Sequence, residues 1–171
     1  MRGYTQVYTG DGKGKTTAAL GLALRAHGAG FSVYIAQFVK GQEYSEVKAL
    51  RENLPGITLK QYGRGCFIYE KPTQKDIDLA QEGLTELRHL IASQRYDVVI
   101  LDEIHIATHF GLISVDDVLG LMRDKPESVE LILTGRKADP RVIAAADLVT
   151  EMKEIKHYYQ KGVAARKGIE S

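Results

Sequence analysis

A chain of 171 residues, 44% apolar and 26% charged, is long enough for one domain with a sizeable core and has an ordinary globular composition. Its formal net charge of +1 gives no electrostatic reason to expect nucleic acid or an anionic membrane as partner. A lone cysteine, Cys66, excludes an intramolecular disulfide and fits a reducing cytoplasm. Apolar runs such as Val98-Val99-Ile100-Leu101 are too short to span a bilayer, and Met1-Arg2-Gly3-Tyr4 leads into a strand without a secretory signal, so a cytoplasmic location is expected.

The first strand is expected near residues 4–9, carried by Thr5-Gln6-Val7-Tyr8. The segment Thr9-Gly10-Asp11-Gly12-Lys13-Gly14-Lys15-Thr16-Thr17 follows it and opens a helical run, Ala18 to Ala26. A glycine-rich turn between strand and helix aims several backbone N–H groups at one point, where the helix dipole adds positive potential. Lys15 supplies a mobile charge and Thr16 a hydroxyl for a magnesium ion, which is the logic of a Walker A phosphate loop. Thr9 stands where that pattern has its first glycine, with Gly10 one place later, so the loop is a variant. Gly28 and Gly30 are expected to end the helix, whose Ala and Gly residues let it lie close to a sheet.

Further strands are expected near 31–38, 57–62, 97–102, 129–134 and 147–151. Several are continuously apolar rather than alternating, which predicts a mostly parallel sheet of about six strands with helices on both faces, an α/β fold. Between 74 and 94, Ile77, Ala80, Leu84, Leu87 and Ile91 share one helical face, and Thr73-Gln74-Lys75-Asp76 reads as a capping box. No linker divides the chain, so residues 1–171 read as a single nucleotide-binding domain, with 152–171 as a partly basic tail or a lid.

Strand ends carry the remaining chemistry, because loops at the carboxyl edge of a parallel sheet meet ligand. Tyr96 to Leu101 runs into Asp102-Glu103, a Walker B arrangement in which an acid orients a magnesium shell. Lys40, in Gln37-Phe38-Val39-Lys40-Gly41, reads equally as a phosphate contact or a solvated turn lysine. Arg136, after Leu133-Thr134-Gly135, reads equally as an oxyanion clamp or a surface arginine. The loop Gly63-Arg64-Gly65-Cys66-Phe67-Ile68-Tyr69-Glu70 could line a flat ligand, although such loops more often pin themselves to the core. His105 and His109 could share a helix face, but without a third ligand they make a weak zinc reading.

Taken together, Gly10 to Ala19, Gln37 to Gly41, Leu101-Asp102-Glu103, Leu133 to Arg136, Ala146 to Met152 and Ile155-Lys156-His157 resemble the P-loop ATP:corrinoid adenosyltransferases over nearly the whole chain. That family's phosphate loop has the same shortened form. The resemblance implies a P-loop NTPase fold and a transferase of cobalamin biosynthesis, acting on cobalamin or cob(I)yrinic acid a,c-diamide. In it a Co(I) corrinoid attacks the 5′ carbon of ATP and triphosphate leaves, so no water-positioning base is needed. It implies that Gly10, Asp11, Gly12, Lys13, Gly14, Lys15, Thr16, Thr17, Lys40 and Arg136 bind ATP, reversed along the loop relative to hydrolases. Lys15, Thr16 and Glu103 would be catalytic, and Thr16 with Asp102 or Glu103 would hold Mg²⁺. A four-coordinate cobalt would be stabilised by aromatic side chains. Some members carry Gly-Phe-x-Trp there, whereas this chain has no tryptophan, which leaves Phe67 and Tyr69 as substitutes. The chain also begins too near its first strand for the N-terminal helix of some members. A reductase partner, such as a flavoprotein, and a homodimer are further implications. Two other readings fit the phosphate loop: a small-molecule or nucleoside kinase with Glu103 as base, and an ATP-dependent switch without chemistry.

Overall fold

The computed structural model describes residues 2–64 and 71–170. The six expected strands are present: β1 (Thr5–Thr9), β2 (Val33–Phe38), β3 (Ile57–Tyr62), β4 (Val98–Asp102), β5 (Glu130–Thr134) and β6 (Leu148–Glu151). They form one sheet in the order β3-β2-β4-β5-β1-β6, and every pairing is parallel. The helices are α1 (Lys15–Gly28), α2 (Ser45–Asn53), α3 (Gln74–Ala92), α4 (Ile104–His109), α5 (Val115–Asp124) and α6 (Pro140–Ala145), followed by a 3₁₀ turn at Tyr158–Lys161.

The alternation of side chains along each strand decides which helix it meets. Val33, Ile35, Val98, Ile100 and Ile132 pack with Ala19, Ala23 and Ala26 of α1 and Leu50 of α2. Their neighbours Tyr34, Ala36, Phe38, Val99, Leu101, Leu131 and Leu133 pack on the opposite face with Ala80, Leu84, Leu87 and Ile91 of α3. Ile104, Val118 and Val142 bring α4, α5 and α6 into that same layer. Both faces of the central strands are therefore covered, and each large aliphatic side chain buried this way contributes about 1.5–3 kcal/mol.

Two local devices set the frame of the site. The small residues of α1 let its start sit close over β4 and β5. After Gly28, Gly30 takes the left-handed backbone (φ +87°) that turns the chain toward β2. At the start of α3, the Asp76 carboxylate accepts from the Thr73 N–H and hydroxyl and receives both arms of Arg64, at 2.6 and 2.7 Å. The outermost strand, β6, is exposed at every residue, including Leu148 and Val149. It is nonetheless structural, because its far end passes beneath the phosphate loop.

Candidate active site

The glycine loop between β1 and α1 is shaped by that end of β6. The Met152 N–H donates to the Thr9 carbonyl at 2.8 Å, and the Met152 carbonyl accepts from the Gly12 N–H at 2.6 Å. A Cβ on Gly10 would lie 2.5 Å from the Met152 oxygen, and one on Gly12 would lie 2.6 Å from it. Gly10 and Gly14 also have φ of +94° and +119°, a region that side chains disfavour. Lys15 closes the loop from inside. Its buried ammonium donates to the carbonyls of Gly10 and Gly12, each at 2.7 Å. Burial pulls the Lys15 pKa down and the charge of Arg136 adds to this, against the pull of Glu103, Asp11 and Asp102.

Asp102, at the end of β4, is the hub of the floor and is almost completely buried. Strand alternation aims it at α1, as the residues two and four places earlier, Ile100 and Val98, face the same layer. Its Oδ1 accepts from the hydroxyls of Thr16 (2.9 Å) and Thr134 (2.7 Å). Its Oδ2 accepts from Lys40 Nζ (2.8 Å) and Gln37 Nε2 (3.2 Å). Gln37 is opposite Asp102 in the β2–β4 register, and Gln61 Nε2, opposite Gln37 in β3, donates to Gln37 Oε1 at 3.0 Å. A polar row thus crosses three strands at their carboxyl edge. Lys40 Nζ also stands 3.3 Å from Thr16 Oγ1. Burial pulls its pKa down, but the charges of Asp102 and Glu103 outweigh this and leave it raised.

Glu103 follows in a left-handed backbone (φ 60°) as the cap of α4, and its N–H donates to Thr134 Oγ1 at 3.1 Å. Burial and then the charge of Asp102 raise its pKa, against Lys40, Lys15 and Arg136. Beyond it, His105 is buried with both ring nitrogens unpartnered, and burial lowers its pKa to about 4. No group of three His, Cys, Asp or Glu suited to a metal occurs among the described residues.

These elements surround a cavity of about 620 Å³. Gly12, Lys13, Gly14, Lys15, Thr16, Thr17, Lys40, Glu103 and Arg136 line it. Sequence reasoning named all of these, and it left the burial of Lys40 and the orientation of Arg136 open. Gly10 and Asp102 instead act from behind the wall, through Lys15 and Thr16, and Asp11 is not part of the lining. Phe67 and Tyr69 fall outside the described residues. Sequence reasoning missed Thr134 and Gln37 as partners of Asp102, and also the tail residues in the wall, Gly168, Ile169 and Glu170. Lys13 Nζ donates to the Ile169 carbonyl at 2.7 Å and pairs with Glu170 at 3.1 Å. Arg166 and the Tyr158 hydroxyl also bind Glu170, whose carboxyl they hold well below its ordinary range.

The geometry is an amide-rich pocket with four cationic side chains, the Thr16 hydroxyl and the Glu103 carboxylate in its wall, and Asp102 behind Thr16. The family model described as ATP:corrinoid adenosyltransferase BtuR/CobO/CobP matches residues 1–171. The chain belongs to this family. It is 35% identical to the corrinoid adenosyltransferase of Pseudomonas aeruginosa over 170 residues, covering 99% of this chain and 84% of that one. It is 31% identical to the corrinoid adenosyltransferase of Escherichia coli K12 over 169 residues, covering 99% and 86%. The corrinoid adenosyltransferase CobA of Salmonella typhimurium is equally similar, at 31% over 169 residues. For a member of the ATP:corrinoid adenosyltransferase family, the parallel sheet and its phosphate loop are the expected scaffold, and the kinase and switch readings are not favoured.

Proposed function

We propose that this corrinoid adenosyltransferase binds the triphosphate of ATP in the cavity before α1 and delivers the 5′ carbon to a reduced Co(I) corrinoid. The observation that carries this is the convergence of Lys15, Lys40 and Arg136 on one cavity whose floor is the Thr16–Asp102 pair. The cobalt electron pair forms the Co–C bond, the C5′–O bond breaks, and its electrons leave with triphosphate. Charge builds up on the leaving oxygens, so fixed cations and loop amides aimed at them lower the barrier. Lys15 would exchange the carbonyls of Gly10 and Gly12 for phosphate oxygens, and Arg136 would clamp a phosphate with its planar fork. No proton has to be removed from a nucleophile, so Glu103 acts through its charge rather than as a base.

The residues fit a hard divalent cation. Thr16 and Asp102 already hold a positive charge between them, the Lys40 ammonium, and Glu103 lines the same cavity. Magnesium, when bound, would supply positive charge to the departing triphosphate. Thr16 with Glu103 or Asp102 would hold it. Phe67 and Tyr69 are proposed to face the corrinoid. The tail of residues 152–171 is proposed as a lid, since Ile169 and Glu170 reach the cavity and Lys13 ties them to the loop. A cytoplasmic homodimer supplied with electrons by a separate reductase completes the proposal. No helix among the described residues is long and apolar enough to cross a membrane.

The test is an anaerobic assay with chemically reduced cobalamin and ATP. A light-sensitive adenosyl product and one intact triphosphate per turnover are expected. ADP and phosphate as the only products would overturn the proposal.

A further inference from the structure

We propose that Lys40 is the built-in counter-ion of the metal position: its ammonium occupies that position when nucleotide is absent and vacates it when metal and nucleotide enter together. This rests on the reading of Thr16, Asp102 and Glu103 as magnesium residues.

Saturation of Asp102 is the first argument. A carboxylate offers about four acceptor positions, and Asp102 already receives from Thr16, Thr134, Gln37 and Lys40. A cation, or a water in its shell, can reach Asp102 only if one of these donors leaves. Thr16 is fixed in α1, and Gln37 and Thr134 are fixed in β2 and β5. Lys40 lies just past the end of β2 on a flexible four-carbon stem and lines the cavity, with the Tyr44 ring 5.9 Å from its Nζ as an alternative seat. It is the donor that can move.

Its backbone cannot follow. Val39 holds φ +62°, a conformation that a β-branched residue enters only under constraint. The constraint is visible: a Cβ on Gly63 would lie 2.7 Å from the Lys40 nitrogen, and one on Gly41 would lie 2.3 Å from the Arg64 carbonyl carbon. Two loops pressed backbone to backbone fix the base of the side chain, so only the stem swings. Position and charge then give a sequence of events. A metal entering alone would expel the ammonium from Asp102 and compete with it for Glu103, leaving it, with Glu170 already paired, only Glu46 in the cavity wall. A metal entering with triphosphate brings the anion that the displaced ammonium needs. The site is therefore selective for the metal–nucleotide complex over the free metal, and carboxylate charge is balanced in both states.

Mn²⁺ serves as the probe, followed by electron paramagnetic resonance on the whole chain with no corrinoid present. Nucleotide-free Lys40→Met is expected to bind Mn²⁺ at least about tenfold more tightly than wild type, since a unit charge within a few ångströms is removed. Lys40→Gln removes the charge but can keep a donor toward Asp102, so it should show a smaller gain, with circular dichroism checking the fold of each. Equal nucleotide-free affinity in variants and wild type overturns the proposal, as does wild type that binds Mn²⁺ at micromolar levels without nucleotide. The Mn²⁺–ATP spectrum separates the two readings. If wild type leaves it unchanged, the metal reading falls and the lysine proposal falls with it. If wild type alters it while the Lys40 variants gain nothing, only the lysine proposal falls.

Discussion

Replacing Asp102 with alanine tests how the floor of the site is held together. The substitution removes the acceptor of four donors at once: two hydroxyls, an amide and an ammonium, at 2.7–3.2 Å. Asp102 has a side-chain exposure of 2% and Lys40 of 16%, so the pair is screened little by solvent. Breaking a buried pair by deleting one partner costs about 3–5 kcal/mol, because the other charge is left without compensation. The three neutral donors would add roughly 1 kcal/mol each if nothing relaxed. Lys40 can swing toward Glu103 or solvent, so the expected loss stays at about 3–5 kcal/mol rather than the larger sum. For a domain of this size that is roughly 6–20 °C in Tm. Urea denaturation of wild type, Asp102→Ala and Asp102→Ala/Lys40→Met would measure it. The double variant, relieved of the stranded ammonium, should recover about 2 kcal/mol of the loss. A single-variant loss below about 1 kcal/mol, or a double variant no more stable than the single, would refute the reasoning.

Lys15→Ala should abolish adenosyl transfer while far-ultraviolet circular dichroism stays unchanged, and activity retained in a folded variant would remove Lys15 from the site. Phe67→Ala and Tyr69→Ala should weaken the spectrum of four-coordinate Co(II) more than they weaken ATP binding; equal losses would indicate general damage to the loop. The Asp76 carboxyl is held at about 2 against an ordinary 3.8, chiefly by Arg64 and against its own burial, with Thr73 assisting. Because its folded pKa is depressed, its contribution of about 2 kcal/mol is complete above about pH 4 and is lost as pH falls toward 2. Chemical denaturation at pH 5 and pH 2 should show that slope in wild type and a flatter one in Asp76→Asn. Gly10→Ala should destabilise the chain and abolish ATP binding together, because a Cβ there meets the Met152 carbonyl at 2.5 Å. An active, stable variant would show that the loop can shift.

The central strands were legible because strands covered on both faces are apolar at consecutive positions, as in Val98 to Leu101, whereas the edge strands β3 and β6 showed only as short strand-like runs between helical patterns. The α1 and α3 helices were legible from small residues and a sustained apolar face. The remaining helices escaped notice for different reasons. In α2 only Val47 and Leu50 are buried, too few to establish a period, and α4 and α6 are barely more than a turn. At the site, the loop residues and the Asp102-Glu103 pair announced themselves by spacing. Gln37 and Thr134 did not, because a polar residue at a strand end says nothing about its partner until the register is known. Gln37 meets Asp102 only because β2 lies beside β4, which are separated in sequence by β3. The stretch 152–171 read only as a tail or a lid, and its tie to the loop was not legible, since the contact between Lys13 and Glu170 joins segments far apart in sequence.

The dependence of the glycine loop on Met152 has a consequence for biogenesis. The Gly12 N–H and the Thr9 carbonyl find their partners in Met152, a residue made long after the loop itself. A nascent chain still lacking β6 would carry the signature motif without the backbone that gives it its curve. Nucleotide would find no finished cradle before β6 is in place. Competence to bind it would arrive late and abruptly, when the last strand docks against the first.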